Sequence, residues 1–310
     1  LNSLRFGKLD DDRAEYLFRE AVAGIGDYGN AIGVPTVGGE VYFDDSYEEN
    51  PLVNAMCLGI VPHDKIVLGK AAGVGNSVMI VGAATGRDGM HGASFASGEL
   101  TEGNEDQGSP MQVGDPFKEK QLMEACMELL QKEWVVGVQD MGAAGVVSST
   151  SETAARAGNG IEIDVALVPQ RDKDMKPYEI MISESQERML VIVEKGHEDD
   201  VKKIFEKWDL DAVKFGTVTD DGMLRILENG KVVGEVPAAS LAGGVPIVKR
   251  ESRRPEYLDK LQTDFSKIPV PSDLNDILLK LLDLPNIASK AIVYRQFDQT
   301  VGTNTVVTPG

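Results

Sequence analysis

The feature of this sequence that most constrains its fold is the stretch from residue 135 to residue 158, VVGVQDMGAAGVVSSTSETAARAG. Its β-branched run predicts a buried strand that ends on a carboxylate, Asp140, and a loop of glycine and alanine follows at once. The residues from Ser151 to Ala155 are helix formers, and Gly158 ends the helical pattern. The sequence therefore predicts a junction of a strand, a small-residue loop and a helix.

This junction has two interpretations. In the first, glycines let backbone N–H groups approach an anion at the positive end of the helix, and Asp140 holds the Mg²⁺ that accompanies a phosphate. In the second, Asp140 is only a capping or turn-forming residue. A turn rich in glycine and alanine is a weak signal by itself, so other motifs have to decide.

Length and charge limit the classes of protein. A chain of 310 residues predicts about two domains. The net charge of −19 argues against nucleic acid or an anionic membrane as a partner. No apolar run approaches a membrane span, and residues 1–6 lack the features of a signal peptide. Cys57 and Cys126 stand in apolar surroundings, which predicts reduced core residues of a cytoplasmic protein.

Other elements follow from local patterns. The sequence predicts a strand over residues 1–8, a helix capped by residues 10–12 and apolar through Ile25, a strand over 52–60 and a helix after Pro116. It also predicts a hairpin of 212–219 with 223–228 around Asp220-Asp221-Gly222. A linker with short helices follows from Val236, and we place a domain boundary near Ile66.

Three further segments are candidates for ligand contacts. The glycine-rich turn of residues 86–97 contains His91, a type of residue that in such a turn more often hydrogen-bonds the loop than catalyses. Residues 102–110 predict a mobile loop. Residues 183–188 concentrate Ser, Glu, Gln and Arg directly before a buried strand, which indicates either a ligand wall or an N-terminal cap.

Four segments together carry a family resemblance. They are GDYGNAIGVPTVGGEVYFDDSY (26–47), GRDGMHGASFAS (86–97), QDMGAAG (139–145) and SESQERM (183–189). In this order they resemble the synthetase subunits of the formylglycinamide ribonucleotide amidotransferase family, also called phosphoribosylformylglycinamidine synthases. The resemblance covers essentially the whole chain, and although each motif alone is weak, the set is specific.

The resemblance implies an α/β (α+β) fold like that of aminoimidazole ribonucleotide synthetase, with mixed sheets packed against helices. Family members carry an ATP-binding N-terminal domain and a C-terminal α/β domain twice. On that plan, residues 1–66 are the tail of the first ATP-binding domain and residues 67–235 a complete C-terminal-type domain. Residues 236–310 are a linker and the start of the second N-terminal-type domain, so we expect an internal fragment.

The resemblance also implies roles for individual residues. Asp140 matches a magnesium ligand, and Gln112, Glu184, Ser185 and Gln186 match substrate-binding residues. The implied reaction converts formylglycinamide ribonucleotide to the amidine with ATP, Mg²⁺ and glutamine-derived ammonia, through a phosphorylated amide. The implied protein partners are a glutaminase subunit and a small accessory subunit of the same complex.

Two alternatives stay open. One is a superfamily relative that acts on another phosphorylated or carboxylated substrate, against which the SESQERM segment argues. The other is a non-catalytic folded segment that serves as a scaffold or a dimerisation surface. Binding of substrate, measured by calorimetry beside size-exclusion chromatography, distinguishes them.

The resemblance leaves no catalytic residue within this sequence, because His63, His91 and His197 match none of the family's catalytic positions. We therefore expect that this chain alone, incubated with ATP, ammonia and formylglycinamide ribonucleotide, releases no ADP. A measurable rate of ADP release would contradict the expectation.

Overall fold

The structure, a computed structural model, describes residues 1–90, 92, 111–244, 246–261 and 264–309, apart from the side chains of residues 259 and 260. The predictions for His91 and for the loop of residues 102–110 lie outside the described residues. The chain divides into two compact units. The smaller comprises Leu1–Leu58 with Pro246–Gly310, and the larger comprises Gly59–Val245.

The strands alternate with helices along most of the chain. In chain order they are β1 (Asn2–Phe6), β2 (Gly39–Phe43), β3 (Leu52–Ala55), β4 (Ser77–Gly82), β5 (Val135–Asp140), β6 (Gly160–Asp164), β7 (Arg188–Val193), β8 (Asp211–Thr219), β9 (Met223–Glu228) and β10 (Lys231–Pro237).

The α-helices, in the same order, are α1 (Asp12–Ile32), α2 (Pro116–Leu129), α3 (Gly145–Ala157), α4 (Pro177–Ile182), α5 (Glu198–Glu206), α6 (Ala238–Ala242), α7 (Leu274–Asp283) and α8 (Ala291–Tyr294). Short 3-10 helices lie at Asp45–Tyr47, His63–Lys65, Val165–Leu167, Glu256–Leu261 and Phe265–Lys267.

The larger unit is built on one mixed sheet with the strand order β10-β9-β6-β8-β4-β7-β5. Neighbouring strands are antiparallel except for β6 and β9, which are parallel. Side chains of a strand alternate between the two faces, and here both faces are buried. On one face Ile80 and Ile192 pack with α3 and α4, and on the other Met79 and Val191 pack with α2 and α5.

The smaller unit has a three-stranded sheet with the order β2-β1-β3. Phe18 of α1 packs edge-to-face against Phe6 and Phe43, with ring centroids 5.4 and 5.3 Å apart. The Asn286 amide accepts from the backbone N–H of Phe43 at 2.7 Å and donates to its carbonyl at 2.9 Å. These bonds and the burial of Phe297 join the two segments of this unit.

The predicted class of fold, mixed sheets packed with helices, is confirmed. The boundaries of the two units fall after Leu58 and after Val245, whereas the sequence places them near residues 66 and 235. The attribution of residues 1–66 and 236–310 to two different ATP-binding domains stays a prediction.

The prediction of a hairpin between residues 212–219 and 223–228 is wrong. Strand β6 lies between β8 and β9, and β9 pairs instead with β10. The approach of β6 to β8 depends on Gly216, where a Cβ atom would lie 2.5 Å from the carbonyl oxygen of Glu162. This contact is remote in sequence, so the local turn signal of Asp220-Asp221-Gly222 cannot reveal it.

Three local predictions also differ from the structure. Helix α1 continues past Ile25 through Gly26, which lies against Gln296 and Phe297, and ends at Gly33 in the left-handed conformation. The strand predicted over residues 52–60 ends at Ala55. Cys57 is exposed, not a core residue, because it follows the end of that strand.

The other cysteine fits its prediction better. Cys126 is a free thiol, and burial raises its pKa to about 12. No helix among the described residues is long and apolar enough to cross a membrane.

Glu198, at the start of α5, attaches this helix to the sheet. It accepts hydrogen bonds from Ser77 Oγ of β4, from Lys214 Nζ of β8 at 3.1 Å and from the Gly196 N–H at 2.9 Å. The bond from Ser77 contributes most to lowering the pKa of Glu198 to about 2. Because this pKa is lower in the folded state, the stabilisation is complete above about pH 4.5 and is lost as the pH falls towards 2.

We expect Glu198→Gln to reduce the free energy of unfolding by about 1 kcal/mol at pH 7. The difference from wild type should shrink between pH 4.5 and pH 2, the window set by the lowered pKa. Urea unfolding at several pH values measures it, with the exposed Glu206→Gln of the same helix as the control. A difference that does not change with pH would contradict this assignment.

Candidate functional site

The candidate site is organised by the turn of residues 183–187, which connects α4 to β7. The next residue, Arg188, is only 3 % exposed. Its guanidinium donates to the carbonyl oxygens of Ser183 at 2.7 Å and Ser185 at 2.8 Å, and to Thr85 Oγ1 at 2.8 Å. Burial lowers the pKa of Arg188 to about 10, so the group is still a cation at neutral pH. This single side chain fixes the backbone of the turn.

The turn is also joined to the glycine-containing loop of residues 86–89. Ser185 Oγ accepts from the Gly86 N–H at 2.9 Å and donates to Asp88 Oδ2. Arg171 pairs with the same carboxylate at 2.6 Å. Hydrogen bonds from Ser185 and Arg171 outweigh the effect of burial and lower the pKa of Asp88. Ser185 is therefore buried with its hydroxyl already engaged inside the protein.

Glu184 joins two of the other predicted motifs. Its Oε2 accepts from Gln112 Nε2 at 2.6 Å, and its Oε1 accepts from the Ala144 N–H at 2.9 Å, in the loop before α3. Gly89 has a φ of 65°, and a Cβ atom there would lie 2.6 Å from the Glu184 Cβ. The structure thus brings Gln112, Glu184 and the QDMGAAG loop into direct contact.

Asp140, at the end of β5, and Gln186, in the turn of residues 183–187, lie away from the contact between Glu184 and Gln112. Both line an open groove of about 310 Å³ between α2 and the start of β7. Gln186 donates back to the Glu184 carbonyl oxygen at 2.7 Å, and Asp140 is exposed at the end of β5. Burial is the first cause, and the charge of Glu187 the second, of the raised pKa of Glu119 in this groove.

Glu187 is the last residue of this turn. It has a φ of 57°, an unusual conformation for a residue with a side chain, and its carboxylate accepts from the Asp115 N–H at 3.0 Å. Its carbonyl oxygen accepts from the Ala83 N–H at 2.8 Å. Glu187 itself lines the groove beside Gln186 and Asp140.

In this groove a metal ion would find Asp140 Oδ2, which accepts no hydrogen bond from the described residues. Within the described residues, no group of three or more His, Cys, Asp or Glu side chains is placed to hold a metal. Mg²⁺ usually keeps several waters and binds one or two carboxylates together with substrate phosphates. Asp140 therefore fits a share in a magnesium site that a phosphate ligand would complete.

The family resemblance suggested the five candidate residues, whose roles stay predictions, but it did not point to the residues that hold them. Arg188, Asp88, Thr85 and Arg171 were not singled out. Arg188 carries a recognisable signal, because it is a charge at the first position of an otherwise apolar strand, and a buried charge has to find partners. The side-chain contacts of Asp88 join residues 97 and 83 positions apart and have no local signal.

The fold and this site define the class of protein. The model of the AIR synthase related protein C-terminal domain matches residues 73–228, and that of the N-terminal domain matches residues 1–61. The chain belongs to the family of AIR synthase related proteins.

Within that family, the chain is similar to one kind of subunit. It is 56 % identical over 311 aligned residues to the phosphoribosylformylglycinamidine synthase subunit PurL of Moorella thermoacetica, an alignment that covers 100 % of this chain and 42 % of the relative. The chain thus spans less than half the length of that relative.

Solved structures of Thermotoga maritima PurL also match. The complex with FGAR superposes with a TM-score of 0.79 at 38 % identity, over 99 % of this chain and 46 % of that one. The structure of PurLQS gives a TM-score of 0.75 at 34 % identity, over 99 % and 45 %. The complex with ATP gives 0.69 at 37 % identity, over 82 % and 39 %.

We expect Arg188→Met to lower the free energy of unfolding by about 3 kcal/mol, because buried carbonyl oxygens lose a charged donor. The matched control is Arg171→Met, whose side chain is 53 % exposed and pairs with Asp88 near the surface. That variant should cost about 0.5 kcal/mol. Urea unfolding of both variants measures the difference, and equal losses would contradict the role given to Arg188.

Proposed function

We propose that this chain contributes a substrate- and metal-binding surface to a phosphoribosylformylglycinamidine synthase of purine biosynthesis. The reaction is the ATP-dependent conversion of formylglycinamide ribonucleotide (FGAR) to the corresponding amidine. The similarity to PurL over the whole chain supports this proposal, as do the complexes of Thermotoga maritima PurL with FGAR and with ATP.

One observation carries the proposal: three motifs that are separate in sequence, at residues 86–89, 139–145 and 183–189, meet Gln112 at the turn of residues 183–187. Glu184 bonds Gln112 and the Ala144 N–H, while Gln186 shares a groove with Asp140. A surface of amide, carboxylate and backbone N–H groups suits a ligand that has amide, hydroxyl and phosphate groups. In this proposal Gln186 and Gln112 contact the substrate, and Glu184 orients Gln112.

The hydrogen bonds of the Ser185 hydroxyl limit how this residue could contact substrate. Its hydroxyl bonds Gly86 and Asp88 and is buried, so within this proposal Ser185 contacts substrate through its backbone or after a change of the loop of residues 86–89. Its side chain otherwise supports the turn.

The chemistry needs activation of an amide. An amide oxygen is a poor leaving group, so transfer of the γ-phosphoryl group from ATP would convert the amide to an iminophosphate and release ADP. Ammonia would then form the new C–N bond as inorganic phosphate leaves. Mg²⁺, when bound, offsets charge on the transferring phosphoryl group. The protein's part here is for Asp140 to hold the ion and for Gln112 and Gln186 to orient the substrate.

The ammonia would come from glutamine, on a glutaminase subunit, with a small accessory subunit in the same complex. The structure of PurLQS from Thermotoga maritima, at 34 % identity to this chain, supports an assembly of several subunits. The place of action would be the cytoplasm, where purine biosynthesis draws on ATP.

Calorimetric titration of the chain with FGAR tests the proposal. We expect Gln186→Ala to weaken binding about fivefold, since one hydrogen bond contributes about 1 kcal/mol. Gln131→Ala, an exposed glutamine just beyond α2, is the matched control and should bind like wild type. Equal affinity in both variants would contradict the role of Gln186, and no binding to the wild-type chain would contradict the proposed surface.

A further inference from the structure

Asp140 is held by two residues that the proposed function does not use. Gln139 Nε2 donates to Asp140 Oδ1 at 2.7 Å, and Gln139 Oε1 accepts from Arg156 Nη1 at 2.7 Å. Arg156, in α3, also donates to Glu152 at 2.6 Å and to the Gly69 carbonyl oxygen at 3.3 Å. The three side chains form a row from α3 to the end of β5.

The row has a defined direction. A guanidinium can only donate, so the amide oxygen of Gln139 must face Arg156. The amide NH₂ group must then face Asp140, where it occupies Oδ1. Among the described residues Oδ2 accepts no hydrogen bond, and it lies 3.3 Å from the position that a Cβ atom on Gly142 would take. Gly142 lines the groove together with Asp140.

Gly69 provides independent support, because the contact between Gln139 and Arg156 lies where its side chain would be. A Cβ atom at Gly69 would lie 2.4 Å from Gln139 Oε1 and 3.0 Å from Arg156 Nη1. Any other residue here would displace the contact between the two side chains. The glycine therefore keeps the amide and the guanidinium together at a partly exposed position.

We infer that Gln139 and Arg156 form an orienting relay, which fixes the Asp140 carboxylate so that Oδ2 is presented to a divalent cation. The inference rests on the proposed function, in which Asp140 is a metal ligand. Both are positioning residues, since neither touches the ion. Groups that hydrogen-bond a metal-ligating side chain commonly change metal affinity by 10- to 100-fold when removed.

An orienting role of Arg156 and an effect of its charge alone predict opposite changes in cation binding. If Arg156 acted only through its charge, Arg156→Ala would strengthen cation binding, because a positive group near the ion would be lost. If it acts by orienting Gln139, the same variant weakens binding. The two effects are therefore separable with one substitution.

The experiment titrates the chain with Mn²⁺ as a probe for Mg²⁺ and follows paramagnetic broadening of the backbone amide signals of Gly142 and Ala143. We expect Asp140→Asn, Gln139→Ala and Arg156→Ala each to raise the Mn²⁺ concentration at half-broadening, the last two about tenfold. The double variant Gln139→Ala/Arg156→Ala should be no weaker than Gln139→Ala alone. Lys195→Ala, which removes an exposed positive charge elsewhere, is the control and should titrate like wild type.

The outcomes distinguish the two levels of the proposal. If Asp140→Asn weakens binding but Gln139→Ala and Arg156→Ala do not, or if Arg156→Ala strengthens it, the relay is wrong and the metal assignment stands. If the wild type shows no broadening, or Asp140→Asn leaves it unchanged, the metal assignment is wrong and the relay falls with it. Additive effects in the double variant would show that the two residues act separately.

Discussion

The contact on which the site depends is the buried guanidinium of Arg188 against the carbonyl oxygens of Ser183 and Ser185. Taking a cation out of water is costly, and no carboxylate touches this one among the described residues. Three hydrogen bonds and the more distant charge of Asp88 offset that cost. Because the donors of a guanidinium are fixed in one plane, the backbone of the turn has a single arrangement that satisfies them.

That arrangement decides what the turn can present. Once its carbonyl oxygens face Arg188, Glu184 extends to Gln112 and Ala144, while Gln186 lines the groove. One cation therefore holds together segments that are remote in sequence. Networks of buried polar groups are favourable only when all members are hydrogen-bonded. This explains why the Ser185 hydroxyl bonds Gly86 and Asp88 inside the protein.

The parts that sequence reasoning predicted are those with a local cause. The β-branched run of β5, its terminal Asp140 and the end of α3 at Gly158 follow from periodicity and from residues that stop a helix. The position of β6 between β8 and β9 does not, because pairing of strands remote in sequence depends on packing of the whole sheet. The contact of Gln112 with Glu184 spans 72 positions, and only the resemblance to a family suggested that these residues belong to one site.

The charges of the groove support the proposal of a cation at Asp140. The protein is acidic, with a net charge of −19, and the described lining of the groove has three carboxylates, Glu119, Asp140 and Glu187, against one guanidinium, that of Arg188. Three other arginines near the turn or the groove are paired with carboxylates: Arg87 with Glu179, Arg171 with Asp88 and Arg156 with Glu152. A phosphate entering this groove would meet a net negative surface, which a divalent cation at Asp140 would bring close to neutral. In that proposal the attraction for an anionic ligand would come from the ion, and the protein would hold that ion in one place beside the turn.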